Sequence, residues 1–236
     1  MDLKQLIVKR KSIRKYDMNP LAEETLNAVE GFVNGIGTPF GGKFGVKIFD
    51  KSEYDAKTGG RYKIPAPHYL MFYGDKKDDT VLRSIGFAGE LAALKLAEMN
   101  LGTCWLGGAT SKEKDYVISV AFGVPNEEFR KSAAEAKRKP LTEIAEGYAE
   151  EQRDVLESVR LAPSAMNLQP WYFKCGGSKV RVFRKKSLIS NIALLKTMQK
   201  IDIGIAISHF KTPFTVENEV QKRKGCSYEC TLVLQM

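Results

Sequence analysis

At 236 residues, 43% hydrophobic and 28% charged, the chain has ordinary globular composition and a length suited to one large or two small domains. Four cysteines without a CxxC pair (Cys104, Cys175, Cys226, Cys230) and two histidines exclude a disulfide scaffold and a structural zinc site. No apolar run approaches the ~20 residues of a membrane helix, and the opening segment does not read as a signal peptide. A soluble, cytoplasmic protein with reduced thiols and no membrane partner is expected. The net charge of +9 permits an anionic partner, but the basic residues are spread along the chain and nucleic-acid motifs are absent. No nucleic-acid partner is therefore expected.

Leu3, Leu6 and Ile7 predict a short opening helix over 2–9. A second helix is predicted over 21–33, with Leu26, Val29 and Phe32 or Val33 on one face and Pro20 at its start. Residues 35–42 read as a breaker-rich loop, 44–49 as a strand, 50–65 as polar and irregular, and 68–73 as an apolar strand. A long helix over 82–100 ends at Asn100, Leu101 and Gly102. It carries a stripe of Gly86, Gly89, Ala93 and Ala97 that would let a partner element approach closely. A buried strand at 117–122 precedes a charged connection over 126–146. From Glu151 a helix bearing Val155, Leu156 and Val159 runs to Pro163. Strands at 171–174 and 179–183 pair through a turn at Gly176 and Gly177, residues 188–200 look helical, and 231–234 form a last strand. Ile201, Ile203, Ile205 and Ile207 alternate strictly, which alone predicts a strand.

The two halves share an order of signals. Leu26, Asn27, Ala28 and Val29, with the loop and strand that follow, correspond to Leu156, Glu157, Ser158 and Val159, then Pro163, Pro170 and Trp171. The stretch from Ile85 to Gly89 corresponds to that from Ile203 to Ile207. Such a repeat makes 203–209 the start of a helix against its own alternation. It divides the chain into halves, 1–148 and 149–236, of one compact pseudo-dimeric unit.

Catalytic constellations are scarce. There is no GxSxG elbow, no Walker loop and no complete dinucleotide fingerprint. His68 and His209 lie in apolar stretches and read as structural. No catalytic side chain and no metal ligand is assigned. Such a chain either is not an enzyme or leaves its chemistry to a cofactor. Three segments favour a cofactor. Arg10, Ser12 and Arg14 alternate, so an extended backbone points two forked donors and a hydroxyl one way, an arrangement suited to phosphate. The plain alternative is a basic surface arm. Ser164, Asn167 and Gln169 are polar groups set among apolar residues, placed either to cap a nearby turn or to hydrogen-bond a planar heterocycle. Gly107 and Gly108 either let backbone approach a ligand face or form a simple turn.

Taken together, RKSIRKY at 10–16, RLAPSAMNLQPWYF at 160–173 and the small-residue helix leading into LGTCWLGG at 101–108 resemble the nitroreductase family of FMN-dependent oxidoreductases. KRKPL at 137–141, followed by Glu143 and Ile144, is similar to that family's basic segment near the phosphate. The resemblance implies an α+β nitroreductase-like fold, a mixed or antiparallel central sheet flanked by helices, in two pseudo-symmetric halves. It implies an FMN cofactor, NADH or NADPH as donor, and a small-molecule acceptor such as a nitroaromatic or quinone. By the same resemblance, Arg10, Ser12 and Arg14 contact the phosphate and the pyrimidine edge, and Arg138 with Lys137 joins the phosphate. Pro163, Ser164, Ala165 and Asn167 reach over the ring, and the backbone at Leu106 and Gly107 lies near flavin N5. Lys11, Gly108 and Gln169 complete the implied cofactor-binding set. In ordinary members the PSAxNxQPW segment closely follows RxSxR. Here residues 37–42 have lost that signature and the second half carries it, which resembles a subgroup whose degenerate second half replaces a partner subunit. One FMN per chain, at the junction of the halves, is expected, in a monomeric pseudo-dimer or a homodimer. The competing readings are a flavin-binding protein with little turnover and a flavin-modifying enzyme.

Overall fold

A computed structural model describes residues 2–60, 64–186, 193–210, 212–217 and 222–235. Helices α1 (Leu3–Lys9) and α2 (Glu23–Asn34) lie where the apolar spacing puts them, and α2 buries Val29 and Val33. Strand β1 (Gly45–Asp50) runs directly into α3 (Lys51–Lys57), correcting the irregular chain expected over 50–65. The cause is a cap: Asp50 accepts from the Glu53 amide while the Glu53 carboxylate accepts from the Asp50 amide. A helix of seven residues is too short to show apolar periodicity. Residues 61–63 of that stretch lie outside the described residues.

Short β2 (Thr58–Gly60) is followed by β3 (His68–Tyr73), the long helix α4 (Asp79–Glu98) and β4 (Gly102–Trp105). Next come β5 (Ala109–Ser111) and β6 (Tyr116–Gly123). Strand β4 stands where the sequence reads as a helix stop and turn. Four residues with glycine first are too few to show alternation. The charged connection contains α5 (Leu141–Ile144) and β7 (Ala145–Glu146). Then follow α6 (Glu150–Arg160), β8 (Trp171–Gly176), β9 (Lys179–Lys185), α7 (Ala193–Ser208), β10 (Phe214–Glu217) and β11 (Cys226–Leu234). The helix expected over 188–200 is present from Ala193, and 188–192 lie outside the described residues. The four alternating isoleucines sit inside α7, and 203–209, expected to start a helix, instead form its last turns and its end. Every residue from 198 to 210 is buried, so their alternation marks no face.

The chain is α+β. One large sheet has the order β1-β3-β6-β4 and is antiparallel throughout; a second runs β10-β11-β9-β8-β7, with only the β7–β8 pair parallel, and β2 and β5 form a small antiparallel pair. The series α2, β1, β3, α4, β4, β6 and the series α6, β8, β9, α7, β10, β11 thread their sheets in the same order. Between the sheets α4 packs along α7. A Cβ on Gly86 would collide with the Ile201 carbonyl oxygen, and one on Gly204 with that of Arg83. Each carbonyl lies three residues before its own helix's glycine, so the close approach is reciprocal. Of the small-residue stripe, Gly86 serves this crossing, but Gly89 instead makes room for Trp105 and Phe72. Phe72 and Phe122 share one continuous core with Trp171, Phe173 and Ile203.

Candidate active site

Where the two sheets and the α4–α7 pair meet, a cavity of about 540 Å³ opens, a size typical of small-molecule sites. The segment after α1 supplies Ser12 and Arg14, held extended because the Ile13 amide donates to Thr103 O at 2.9 Å. Strand β4 and its exit supply Cys104, Trp105, Gly107 and Gly108. Arg138 and the 163–167 stretch form another wall. Helix α7 closes the cavity with Leu195, Met198, Ile201 and Ile205, apolar but for Asp202.

The 163–169 stretch is folded tightly. Met166, Asn167 and Gln169 have φ of 51°, 56° and 48°, left-handed conformations that need outside support in residues other than glycine. Polar groups supply it. The Lys139 amide donates to Gln169 Oε1 at 2.8 Å, Asn167 Nδ2 donates to Lys137 O at 2.8 Å, and Arg138 Nη1 donates to Asn167 Oδ1 at 2.8 Å. Arg138 Nε also donates to Ala162 O at 2.9 Å. On the inner side the Ala165 amide donates to Asp202 Oδ1 at 3.0 Å.

Behind the cavity lies a buried charge network. Arg10 Nε is 3.1 Å from Glu90 Oε1, with both side chains almost fully shielded from solvent. Glu90 also accepts from Trp105 Nε1 at 2.9 Å and faces His209 Nε2 at 3.1 Å, while His209 Nδ1 lies 2.9 Å from Ser158 O. Burial alone would raise the Glu90 pKa, but Arg10 and His209 outweigh it and hold the carboxyl below its ordinary value. Arg138 is pushed down to about 10 by burial and by the nearby Arg10, and Arg130 likewise. Arg10, Arg130 and Arg138 thus lie close enough to repel one another, though only Arg138 reaches the cavity. Arg10 meets Glu90 as a buried ion pair, although its Nε and Nη2 lack a hydrogen bond of good geometry.

Of the residues singled out from sequence, Ser12, Arg14, Gly107, Gly108, Arg138, Pro163, Ser164, Ala165 and Asn167 line this one cavity. Five do not. Arg10 is buried against Glu90, Lys11 pairs with Glu127 at 3.3 Å, and Lys137 lends its carbonyl to Asn167. Gln169 is buried and braces the loop from behind. Leu106 belongs to the core, and its amide donates to Ser119 O at 2.9 Å rather than standing free. The freedom of Gly107 serves packing, since a Cβ there would sit 2.9 Å from the terminal methyl of Met198. His209 lies not in apolar surroundings but against Glu90, a partner 119 positions away that no local pattern could reveal. His68 accepts the Leu21 amide hydrogen on Nε2 at 2.9 Å, and burial lowers its pKa.

Sequence reading missed the α7 wall and Trp105. One signal was available: Asp202 is a lone carboxylate inside the apolar run KIDIGIAI. It is buried, its Oδ2 has no hydrogen-bond partner, and burial pushes its pKa up to about 8. Among the described residues, no group of three His, Cys, Asp or Glu could hold a metal, and no helix is long and apolar enough to cross a membrane.

Residues 2–213 match the family model described as "Putative TM nitroreductase". Among solved structures, the chain is similar to a Thermotoga maritima protein described as a "putative nitroreductase", at 26% identity and a TM-score of 0.71, covering 99% of this chain and 94% of that one. It also shows a likeness to an FMN-dependent nitroreductase of Clostridium difficile (19% identity, TM-score 0.42, covering 52% of this chain and 87% of that one). A third likeness is to a Desulfovibrio desulfuricans protein described as a "putative nitroreductase in complex with FMN" (16% identity, TM-score 0.48, 63% and 99%). No curated protein matches the sequence.

Proposed function

Since the chain belongs to the nitroreductase family, whose model spans residues 2–213, we propose that it is an FMN-dependent oxidoreductase that takes reducing equivalents from NADH or NADPH and delivers them to a nitroaromatic, quinone or similar acceptor. The observation that carries this reading is the two-sided cavity: Ser12, Arg14 and Arg138 on one side, an apolar wall of α7 on the other.

The residues fit the group. The volume suits a flavin ring with room beside it. The phosphate would be held by forked guanidinium and hydroxyl donors, Arg14, Arg138 and Ser12. The 163–167 stretch and Trp105 offer apolar and backbone surface to a ring. Bound there, the flavin would supply hydride acceptance from the nicotinamide and its delivery to the acceptor. The chain's own part is to bind, to orient and to exclude water. The α7 wall favours flat, neutral acceptors over highly charged ones. One cavity at the junction of 1–148 and 149–236 predicts one FMN per chain.

The test is a visible absorption spectrum of purified protein titrated with FMN, followed by steady-state oxidation of NADH and NADPH with a quinone and with a nitroaromatic acceptor. Perturbed flavin bands saturating at one equivalent, with turnover, support the reading. Binding without turnover leaves a flavin carrier. Bleaching of reduced FMN in air indicates a flavin-modifying enzyme. A protein that ignores FMN refutes the proposal.

A further inference from the structure

We propose that Asp202 is a positioning residue of this cavity: by holding the Ala165 amide it fixes the 163–167 wall in the shape that receives the cofactor. The inference rests on the FMN reading above.

The first support is geometric. The outer side of the 163–169 stretch is stapled to 137–139 by Lys139, Asn167 and Arg138. Its inner side meets α7 through the bond from the Ala165 amide to Asp202 Oδ1. The next two residues, Met166 and Asn167, hold left-handed backbone, so a free amide just before them would leave the strained turn anchored from one side only. A carboxyl that binds a main-chain N–H fixes backbone whatever side chains the loop carries.

The second support comes from the other half. Ser84 lies two residues before Gly86 as Asp202 lies two before Gly204, the glycines of the reciprocal crossing. Ser84 Oγ is 2.8 Å from Thr38 Oγ1, in the loop that follows α2 as 163–167 follows α6. The same station on each helix thus holds the same loop. Only the α7 station carries a carboxyl, and only that loop walls the cavity.

The third support is electrostatic. The charged groups on the elements packed around Asp202 are engaged elsewhere. Arg83 and Lys200 bind Glu229, His209 and Arg10 face Glu90, and Arg160 pairs with Glu157. Arg14, Arg138 and Cys104 line other parts of the cavity. With its pKa pushed up to about 8 by burial, the carboxyl is mostly neutral at pH 7. Asparagine therefore reproduces both the acceptor oxygen and the charge, whereas alanine removes the acceptor.

Two measurements test this on wild type, Asp202→Asn, Asp202→Ala and Ser84→Ala. The first is hydrogen exchange of the 163–169 amides without FMN. The second is FMN affinity by quenching of flavin fluorescence. In Asp202→Ala, the Ala165 amide should exchange about tenfold faster or more, and the FMN Kd should rise about tenfold, the scale of one lost hydrogen bond. Asp202→Asn should stay within about threefold of wild type on both, and Ser84→Ala should change neither. A folded Asp202→Ala with wild-type exchange and affinity overturns the inference, as does an Asp202→Asn no better than alanine. If alanine does not fold, Asp202→Ser takes its place, and its exchange must lie between those of asparagine and wild type on one side and an unanchored loop on the other; full protection overturns the inference. A wild type that binds no FMN overturns the cofactor reading instead, a result the exchange data do not share.

Discussion

Counted from their crossing glycines, α4 and α7 carry their buried polar groups at the same stations with exchanged chemistry. Two residues before the glycine stand Ser84 and Asp202; four residues after it stand Glu90 and Ser208. Ser208 only donates back to Ile205 O at 2.8 Å, whereas Glu90 gathers Arg10, Trp105 and His209 from three other parts of the chain. Ser84 meets a hydroxyl, whereas Asp202 holds a backbone amide. The loops differ accordingly. At 163–167 there is a cavity. In the first half Phe40 sits edge-on to Phe87, ring centres 6.1 Å apart, with the Arg83 guanidinium over its face. A Cβ on Gly42 there would collide with the Thr80 backbone. Two segments with the same strand order thus carry one open cavity and one filled place, with different buried side chains around each.

The largest effect should come from the Glu90 station. Glu90→Gln leaves the buried Arg10 guanidinium without its anion and disturbs the contacts of His209 and Trp105, and breaking such a network costs about 3–5 kcal/mol. Urea unfolding at pH 7 measures it. Ser208→Ala, at the matching station, should cost under about 1 kcal/mol, and equal losses at both stations would erase the contrast.

Next is the pH dependence of the Asp202 station. An unfolded Asp titrates near 3.8, while burial raises the folded carboxyl to about 8. Between these values the native state keeps a proton that the unfolded chain releases, so this group's contribution is fully present below the lower value and is lost as pH rises through the upper one. The stability of Asp202→Asn relative to wild type should therefore rise with pH by about 1.4 kcal/mol per unit below the upper value, or about 2 kcal/mol from pH 6 to pH 8, and then level off. Ser84→Ala should show no such slope. A flat difference for Asp202→Asn would place its titration outside that window.

Much of this frame is legible in the sequence, because helices and strands announce themselves through apolar spacing. The alternation of Ile201, Ile203, Ile205 and Ile207 misleads because their helix is buried on every side. The polar loop of Ser164 and Asn167, the hydroxyl of Ser12 and the basic residues Arg14 and Arg138 were also legible, as side chains out of keeping with their surroundings. What stayed hidden depends on contacts between distant positions. Nothing near Arg10 says that it turns inward to Glu90, and nothing near Leu106 says that Ser119 takes its amide. The short elements α3 and β4 were missed because capping and sheet pairing define them rather than periodicity.

The crossing itself predicts a smaller and symmetric effect. Gly86→Ala and Gly204→Ala each press a methyl against a backbone carbonyl that cannot rotate away, so α4 and α7 must separate. Each should cost about 2 kcal/mol, equal within about 1 kcal/mol. The double variant should cost less than the sum, since the first separation relieves the second clash. If only one substitution destabilises, the reciprocity seen in the backbone has no energetic counterpart.

The smallest effect belongs to the exposed rim, where Arg14 contrasts with the buried Arg10. Arg14 lines the cavity from a solvent-exposed position, so its attraction for a phosphate is screened. Arg14→Ala should weaken FMN binding about tenfold at low salt with no change in unfolding midpoint, because one charge-assisted bond at a wet rim is worth about that much. The loss should shrink toward about threefold at ~0.5 M salt. Arg14→Lys keeps the charge and loses the fork, and should fall between the two. The same titration reports stoichiometry. Saturation at one FMN per chain is expected, since Phe40 fills the corresponding place in the first half. Saturation at two would mean that the aromatic packing there yields to a ligand. An Arg14→Ala variant that binds as well as wild type would instead move the phosphate away from the N-terminal arm, toward Arg138 alone.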